Sequence, residues 1–222
     1  MGKQSLWGPL ALALCVGCAG GQAHTHRSYG GDVMSAPALE ALPSLDVEEV
    51  RLSGQMRMAR LLSAESLALS KPEAPTSSAT AAITRWSDSE LKRWVTEKHR
   101  RAEAARKELD GAAVNSHRER IMAGALVGLV YEDVARALLA LPFPTELASE
   151  PEVRAIFEDV LRGQAAPYLV HARLAYQACA ANALGLSAMA HWSEFCQGRG
   201  AELPEAGAEQ RDASLTVSVS KR

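Results

Sequence analysis

The sequence predicts an all-α protein, a bundle of about six helices. Alanine is abundant, and only 5% of the 222 residues are aromatic. Alanine is the strongest helix former and is small enough for close helix–helix contacts. Apolar residues recur at three- and four-residue steps through most of the chain, which is the period of an amphipathic helix. The length fits one domain, or two small ones, with tails.

The first 17 residues are predicted to be a signal peptide. Lys3 precedes a charge-free apolar run over residues 6–17. This run is shorter than the about 20 residues that span a bilayer and has the length of a secretory signal core. Residues 18–43 are rich in Gly, Ser, Ala and His and have no helical or strand period, so we expect a flexible tether. His24 and His26 lie within it, and a solvated tether is favoured there over a metal site.

Two segments separate this tether from the main helical domain. Residues 44–70 form a predicted N-terminal helix with Gly54 near its centre, where glycine costs about 1 kcal/mol relative to alanine. Residues 71–86 are rich in Pro, Ser and Thr and are predicted to be a linker. The helical domain covers residues 87–198 and begins with a predicted capping box, Ser87 with Glu90.

Within the domain, residues 116–141 give the widest apolar face, so this helix is expected to be central. Gly124 and Gly128 lie one turn apart on it and permit the close approach of a neighbouring backbone. A helix from about residue 149, capped by Ser149, is expected to break or kink at residues 163–167, which contain Gly163 and Pro167. A further helix is predicted to residue 183 and a short one over 187–197. Residues 199–222 are predicted to be a disordered tail.

Cys179 and Cys196 lie on the last two predicted helices. An exported protein meets an oxidising compartment, where a disulfide is allowed. The turn near Ser187 would let the two side chains face each other. A disulfide between Cys179 and Cys196 would close a loop of about 17 residues and would stabilise the fold by about 3 kcal/mol. Two buried thiols that act as small hydrophobic groups are the alternative, and the sequence leaves both open.

The sequence predicts no catalytic residues, no metal ligands and no cofactor. It lacks a Gly-rich phosphate loop, an HExxH, a GxSxG and a paired CxxC. Glu132 and Asp133 are adjacent on a helix and therefore point to different faces. The basic residues of the helix after Ser87 alternate with Glu97, Glu103 and Glu108, which favours a solvated face with internal ion pairs over a lipid-binding face. His171 and His191 are expected to be ordinary core or surface histidines. The formal net charge of −2 is too near neutral to indicate nucleic-acid binding.

Val16, Gly17 and Cys18, which end the apolar run, resemble the lipobox of bacterial lipoproteins. Cys15 stands where that motif usually has Leu. An ordinary signal peptide cut near Ala19 or Ala23 is the alternative. The resemblance implies cleavage before Cys18 and acyl chains, palmitate among them, on Cys18. Ala19 follows Cys18 at the position where a signal for retention in the inner membrane would be acidic. The resemblance therefore implies that the protein is anchored in the outer membrane.

A second resemblance covers residues 118–199. The segments that carry it are LVYEDVAR (129–136), LPFP (141–144), AAP (165–167), AYQAC (175–179) and WSEFC (192–196). They resemble the C-terminal part of tetratricopeptide-containing envelope lipoproteins of myxobacteria, which are delta-proteobacteria. Ala172, Tyr176 and Cys179 are similar to the small–aromatic–small ladder of a repeat's second helix. Other hallmarks are missing, and no second copy follows at a period of 34, so we expect degenerate, repeat-like helical hairpins.

Together these observations predict a non-enzymatic lipoprotein anchored in the outer membrane and facing the periplasm. Its role would be that of an adaptor or assembly factor for other envelope proteins, as the myxobacterial resemblance implies, including motility machinery. No nucleic acid and no small-molecule substrate is expected. The alternatives are a cell-wall-acting envelope enzyme or enzyme inhibitor, which needs a deep pocket lined by Glu132 or Asp133, and a purely structural stabiliser with an exposed apolar patch on the first helix.

Overall fold

In the computed structural model, residues 42–43, 52–75, 80–144 and 147–204 are described, and the regular secondary structure in these ranges is entirely helical. The predicted all-α bundle is confirmed. A π-helical segment, Trp86–Leu91, joins α2 to α3, and a 3₁₀ turn, Ser187–Met189, precedes α6. Within the described ranges, no helix is both long and apolar enough to cross a membrane. The helices are α1 Gly54–Leu67, α2 Thr80–Arg85, α3 Lys92–Ala112, α4 His117–Leu139, α5 Pro151–Ala183 and α6 Ala190–Glu202.

The central helix is α4, as predicted. It packs against α5 on one side and against α3 and α1 on the other, while α5 also packs against α6. Ser116 is the N-cap that precedes this helix. Its hydroxyl accepts a hydrogen bond from the Glu119 amide at 3.0 Å and so caps the first turn. Most residues of α4 are buried. A helix that is apolar on nearly all sides has to be covered on several faces, and neighbouring helices cover α4 in this way.

The two glycines of α4 allow the close approach that the sequence predicts. A Cβ added at Gly124 would lie 3.1 Å from Cβ of Cys179, and one at Gly128 would lie 2.5 Å from the ring of Tyr176. Both neighbours belong to α5. Since α4 and α5 form the most extensive helix pair, the absent side chains set the spacing of the bundle's main contact.

The N-terminal helix is shorter than predicted. It begins at Gly54, so Gly54 lies in the first turn and not at the centre. Ser53 is its N-cap: the hydroxyl accepts from the Met56 amide, and the N–H and hydroxyl of Ser53 donate to the Glu119 carboxylate at 2.6 and 2.7 Å. This contact fixes the start of α1 beside the start of α4. The N-terminal helix therefore belongs to the same bundle as the later helices.

The predicted capping box at Ser87 is wrong, because the helix starts upstream, inside the predicted linker. Trp86 is buried, and its indole N–H donates to the carbonyl of Glu73 at 2.6 Å, which holds the preceding chain against the helix. The hydroxyls of Ser87 and Ser89 donate back to carbonyls of the turn before them. A serine that bonds to the preceding turn sits within a helix and does not cap it.

Of the break or kink expected at residues 163–167, the break is wrong, since α5 runs unbroken from Pro151 to Ala183 with Pro167 inside it. Proline removes one hydrogen bond and crowds the carbonyl four residues earlier, which here belongs to exposed Gly163. Packing of the buried face against α4 outweighs that local cost. Ser149 is not the cap either: the N-cap is Glu150, without a side-chain hydrogen bond.

Residues 199–202, at the start of the predicted disordered tail, are helical. α6 extends to Glu202, and Leu203 beyond it is buried. The guanidinium of Arg173 donates to the carbonyls of Leu203 and Pro204 at 3.0 and 2.7 Å, which ties this end to α5. Cys18, His24, His26 and the rest of the predicted tail, residues 205–222, lie outside the described residues.

Candidate functional site

Glu132 is the most enclosed charged group of the bundle. Its side chain is fully buried on the α5 side of α4. The Tyr176 hydroxyl donates to one carboxylate oxygen at 2.6 Å, while Arg136 and Arg199 donate to the other. Both oxygens are therefore occupied by partners from α4, α5 and α6. This carboxylate fastens three helices and offers no open position to a substrate.

Asp133 points to a different side of α4, towards α3, as the adjacency of the two residues predicts. It forms an ion pair with Lys98 of α3, with 2.5 Å between Nζ and Oδ2. Lys98 is 2% exposed and also donates to the carbonyl of Ser66 at 2.7 Å. Burial raises the pKa of the Asp133 carboxyl, and the Lys98 ammonium acts against that shift. The pair joins α3, α4 and the end of α1.

The basic face of α3 carries the internal ion pairs that its sequence predicts. Glu97 binds Arg100 and Arg101, and the hydrogen bonds from these guanidinium groups lower the pKa of Glu97 to about 2. Arg106 bridges Glu103 and Asp110. Lys98 is the exception, because it is buried and does not belong to the solvated face.

Two tyrosines and two histidines gather where α3, α4 and α5 meet. Tyr131 donates to Glu103 at 2.7 Å, and the Tyr168 hydroxyl lies 3.0 Å from Nδ1 of His99. His171, which is exposed, has its ring 5.3 Å from that of Tyr131. Burial would raise the pKa of Glu103, but the hydrogen bonds from Tyr131 and Arg106 prevail and lower it. Each of these hydroxyls already has a partner, so the cluster cross-links helices.

Cys179 of α5 and Cys196 of α6 are joined by a disulfide, with 6.1 Å between their Cα atoms. Both residues are buried. Arg199, three residues after Cys196 on α6, binds Glu132 of α4, so α6 is held by a covalent connection to α5 and an ionic connection to α4. A cysteine in a disulfide has no thiolate and is not a nucleophile.

A shallow cleft lies between the chain after α1 and the start of α3. We call it the Trp94 cleft; its volume is about 290 Å³, and it is lined by Leu69, Ser70, Pro72, Glu90, Arg93, Trp94 and Glu97. The indole N–H of Trp94 has no acceptor among the described residues. Along α1, Met58 and Leu61 are about half exposed. The cleft contains neither Glu132 nor Asp133.

A second apolar surface runs along the outside of α5. We call it the α5 seam; its exposed residues are Ile156, Val160, Gly163, Pro167, Val170 and Leu174. The buried face of the same helix, from Leu161 to Ala183, packs into the bundle. The seam carries no charged residue.

Searches against protein-family models, curated proteins and solved structures found no match to this chain. The described residues also contain no group of three or more His, Cys, Asp or Glu side chains that could hold a metal ion.

The sequence did not reveal Lys98, Tyr176 or Arg199 as partners of the two carboxylates. The charge pattern of α3 groups Lys98 with the solvated basic residues, and Arg199 falls in the predicted tail. A signal existed for Lys98, since it falls four residues after Trp94 and four before Ala102, on the apolar stripe of that helix. Arg199 gave no comparable signal.

Proposed function

We propose that this protein is a lipid-anchored adaptor or assembly factor of the cell envelope that binds other envelope proteins. Acyl chains on Cys18 would hold it in the outer membrane, with the helical bundle in the periplasm. Machinery of the envelope, including motility machinery, is the class of partner that the myxobacterial resemblance suggests. Ala172, Tyr176 and Cys179, on which part of that resemblance rests, all lie on the buried face of α5.

The observation that carries the binding role is the Trp94 cleft. Leu69, Pro72 and Trp94 supply apolar lining, while Glu90, Arg93 and Glu97 add charge. An apolar centre within a polar rim is the usual anatomy of a protein-binding site. The unpaired indole N–H of Trp94 is a donor that a backbone carbonyl of a bound segment can satisfy after a small movement. An extended peptide with one apolar anchor residue fits these features.

The enclosure of Glu132 supports an adaptor over a cell-wall enzyme. A general acid or base needs to come within hydrogen-bond reach of a substrate, and both Glu132 oxygens are engaged inside the bundle. A purely structural stabiliser would need a large exposed apolar patch on the first helix. Among the described residues of α1, the exposed large apolar side chains are Met58 and Leu61, which is a small patch, while Met56 and Ala59 are buried in the core.

The test is a pull-down from detergent-solubilised envelopes with four tagged proteins: wild type, Cys18→Ala, Arg93→Glu and Val114→Asp. Arg93 is exposed at the cleft, and Val114 is exposed in the turn after α3, so neither change should unfold the bundle. We expect wild type and Val114→Asp to recover the same defined set of envelope proteins from the membrane fraction. Arg93→Glu should lose that set by tenfold or more, and Cys18→Ala should leave the membrane fraction.

Each outcome bears on a separate part of the proposal. If Cys18→Ala fractionates as wild type does, the lipid anchor is wrong. If Arg93→Glu retains every partner that wild type recovers, the Trp94 cleft is not the binding site. If wild type recovers no protein above the background of an untagged control, the adaptor role itself is wrong.

A further inference from the structure

We propose that the α5 seam pairs with the α5 seam of a second copy of this chain, with the two helices antiparallel. This pairing uses a different surface from the Trp94 cleft and does not depend on the proposed function. It would make the protein a two-fold symmetric dimer.

The seam has the spacing of a coiled-coil interface. Its residues follow one another at steps of four, three, four, three and four, which is the alternation that places side chains along one line of a helix. At 3.6 residues per turn, all six fall within about 80° around the helix axis. Ile156 and Leu174 are eighteen residues apart, so the line is about 27 Å long.

Exposure of this line is unusual for a helix that is already packed. Ile156 is 62% exposed and Leu174 is 57% exposed. A helix that is apolar on two opposite faces is expected to be covered on both. The inner face is covered by α4 and α6, and the outer face has no cover among the described residues.

The order of the residues makes the α5 seam of one copy complementary to the same seam of a second copy that runs in the opposite direction. When two copies run antiparallel about residue 165, Ile156 lies opposite Leu174, Val160 opposite Val170, and Gly163 opposite Pro167. The first of these layers combines two large residues and the second combines two medium-sized residues. The third combines glycine, the smallest residue, with the rigid ring of proline. A two-fold axis repeats each layer, as an isologous interface requires.

A parallel pairing gives poorer layers. It places Gly163 against Gly163 of the other copy, which leaves a gap, and Pro167 against Pro167, which crowds two rings. Gaps and overpacking each cost free energy in an apolar contact. The volumes therefore select the antiparallel orientation.

Charges beside the seam favour the same orientation. Asp159 and Arg173 each lie one residue before a seam position, Val160 and Leu174. In the antiparallel arrangement, flanking positions of this type face each other across the interface, so Asp159 of one copy faces Arg173 of the second. Within one chain Asp159 pairs with exposed Arg162, and Nη2 of Arg173 donates to the carbonyls of Leu203 and Pro204. The pair across the interface therefore replaces the Asp159–Arg162 contact and uses the Arg173 nitrogens that do not bind these carbonyls. The pair occurs twice by symmetry, and opposite charges at such positions set helix orientation.

The experiment uses full chains that carry one of two tags, purified in mild detergent with the native disulfide intact. One tagged chain carries Val160→Cys and the other carries Val170→Cys. Mixed and gently oxidised, the two should cross-link to each other and not to themselves, because residue 160 faces residue 170 only in the antiparallel pair. Non-reducing gels with detection of both tags give the result, and wild type with either tag controls for other cysteines.

A matched variant tests the pairing without added cysteines. Val160→Glu changes a residue at the solvent-exposed seam, so circular dichroism should show a retained helical fold. The mass by analytical ultracentrifugation should fall from twice that of the chain to that of the chain, whereas Val114→Asp should remain a dimer. Cross-links of each variant only to itself would overturn the antiparallel arrangement. No cross-link, a wild-type monomer at high concentration, or capture of a different protein at the seam would overturn the dimer.

Failure here and failure of the adaptor role are distinguishable. A protein that stays monomeric yet recovers partners through the Trp94 cleft loses only the dimer. A protein that dimerises and recovers no other protein keeps the dimer and loses the adaptor role.

Discussion

The carboxylate of Glu132 on α4 accepts a hydrogen bond from the guanidinium of Arg199 on α6, with 2.5 Å between Oε1 and Nη2. The two residues are 67 positions apart, and no other ion pair in the described residues spans α4 and α6. With Tyr176 of α5 on the second oxygen at 2.6 Å, this carboxylate connects the three helices of the C-terminal half. The bundle thus places a charge at its centre and surrounds it with donors, which is how a buried charge becomes tolerable.

Glu132→Gln should strongly destabilise the bundle. The change leaves the Arg136 and Arg199 guanidinium groups without their counter-charge, and breaking one side of a buried pair typically costs about 3–5 kcal/mol. Urea unfolding followed by circular dichroism measures the free energy of unfolding. Glu202→Gln is the matched control, because it removes the exposed partner of Arg199 and should cost less than about 0.5 kcal/mol. Equal midpoints for both variants would show that the central carboxylate contributes no net stability.

Replacing Cys179 and Cys196 together by serine should lower the free energy of unfolding by about 3 kcal/mol, as expected for a closed loop of this length. The separation of the two cysteines is 17 residues. Arg199 on the same helix still binds Glu132, so α6 should stay helical in water. The test compares urea midpoints of wild type and the double variant, each with and without a reducing agent. Only the wild-type midpoint should respond to the reducing agent, and a response of the double variant would contradict the assignment.

Much of the bundle could be predicted from the sequence because its strongest signals are periodic. The apolar face of α4 and its two glycines predicted a central helix approached closely by another, and the structure has both features. Apolar periodicity predicts tertiary packing well, because the apolar face of a helix is the face that packs against the core. The adjacency of Glu132 and Asp133 likewise predicted different faces, since that follows from helix geometry alone.

The errors occurred where a local signal competes with long-range packing. Pro167 and Ser87 are a helix breaker and a helix cap in isolated peptides. Here the buried stripe of α5 continues on both sides of Pro167, and buried Trp86 holds the helix before Ser87. Neither contact is visible in a sequence window of a few residues. The partners of the carboxylates were missed for the same reason, because Lys98 and Tyr176 reach them across helices.

Glu103 should make the bundle less stable in acid. Its folded-state pKa is lowered below the ordinary value of 4.5, so its ionised form contributes stability above pH 4.5. That contribution is lost as the pH falls through the lowered pKa. Urea midpoints measured between pH 7 and pH 3 should therefore drop less steeply for Glu103→Gln than for wild type. Glu108→Gln on the same helix is a control that should follow the wild-type curve, and parallel curves for all three proteins would refute this role of Glu103.

Gly128→Ala should destabilise the bundle although alanine is the better helix former. The gain in helix propensity is at most about 1 kcal/mol. Against it stands the Tyr176 ring, 2.5 Å from where the new Cβ would lie. The ring cannot move away freely, because its hydroxyl is bound to Glu132, and overpacking of this kind costs about 1–3 kcal/mol.

The matched control for this substitution is Gly198→Ala on α6, where an added Cβ meets nothing within 4 Å. There the propensity term acts alone and should stabilise by up to about 1 kcal/mol. The two changes in urea midpoint should therefore have opposite signs. If Gly128→Ala is as stabilising as Gly198→Ala, then α4 and α5 can separate without loss, and their close approach would not be what fixes the spacing of the bundle.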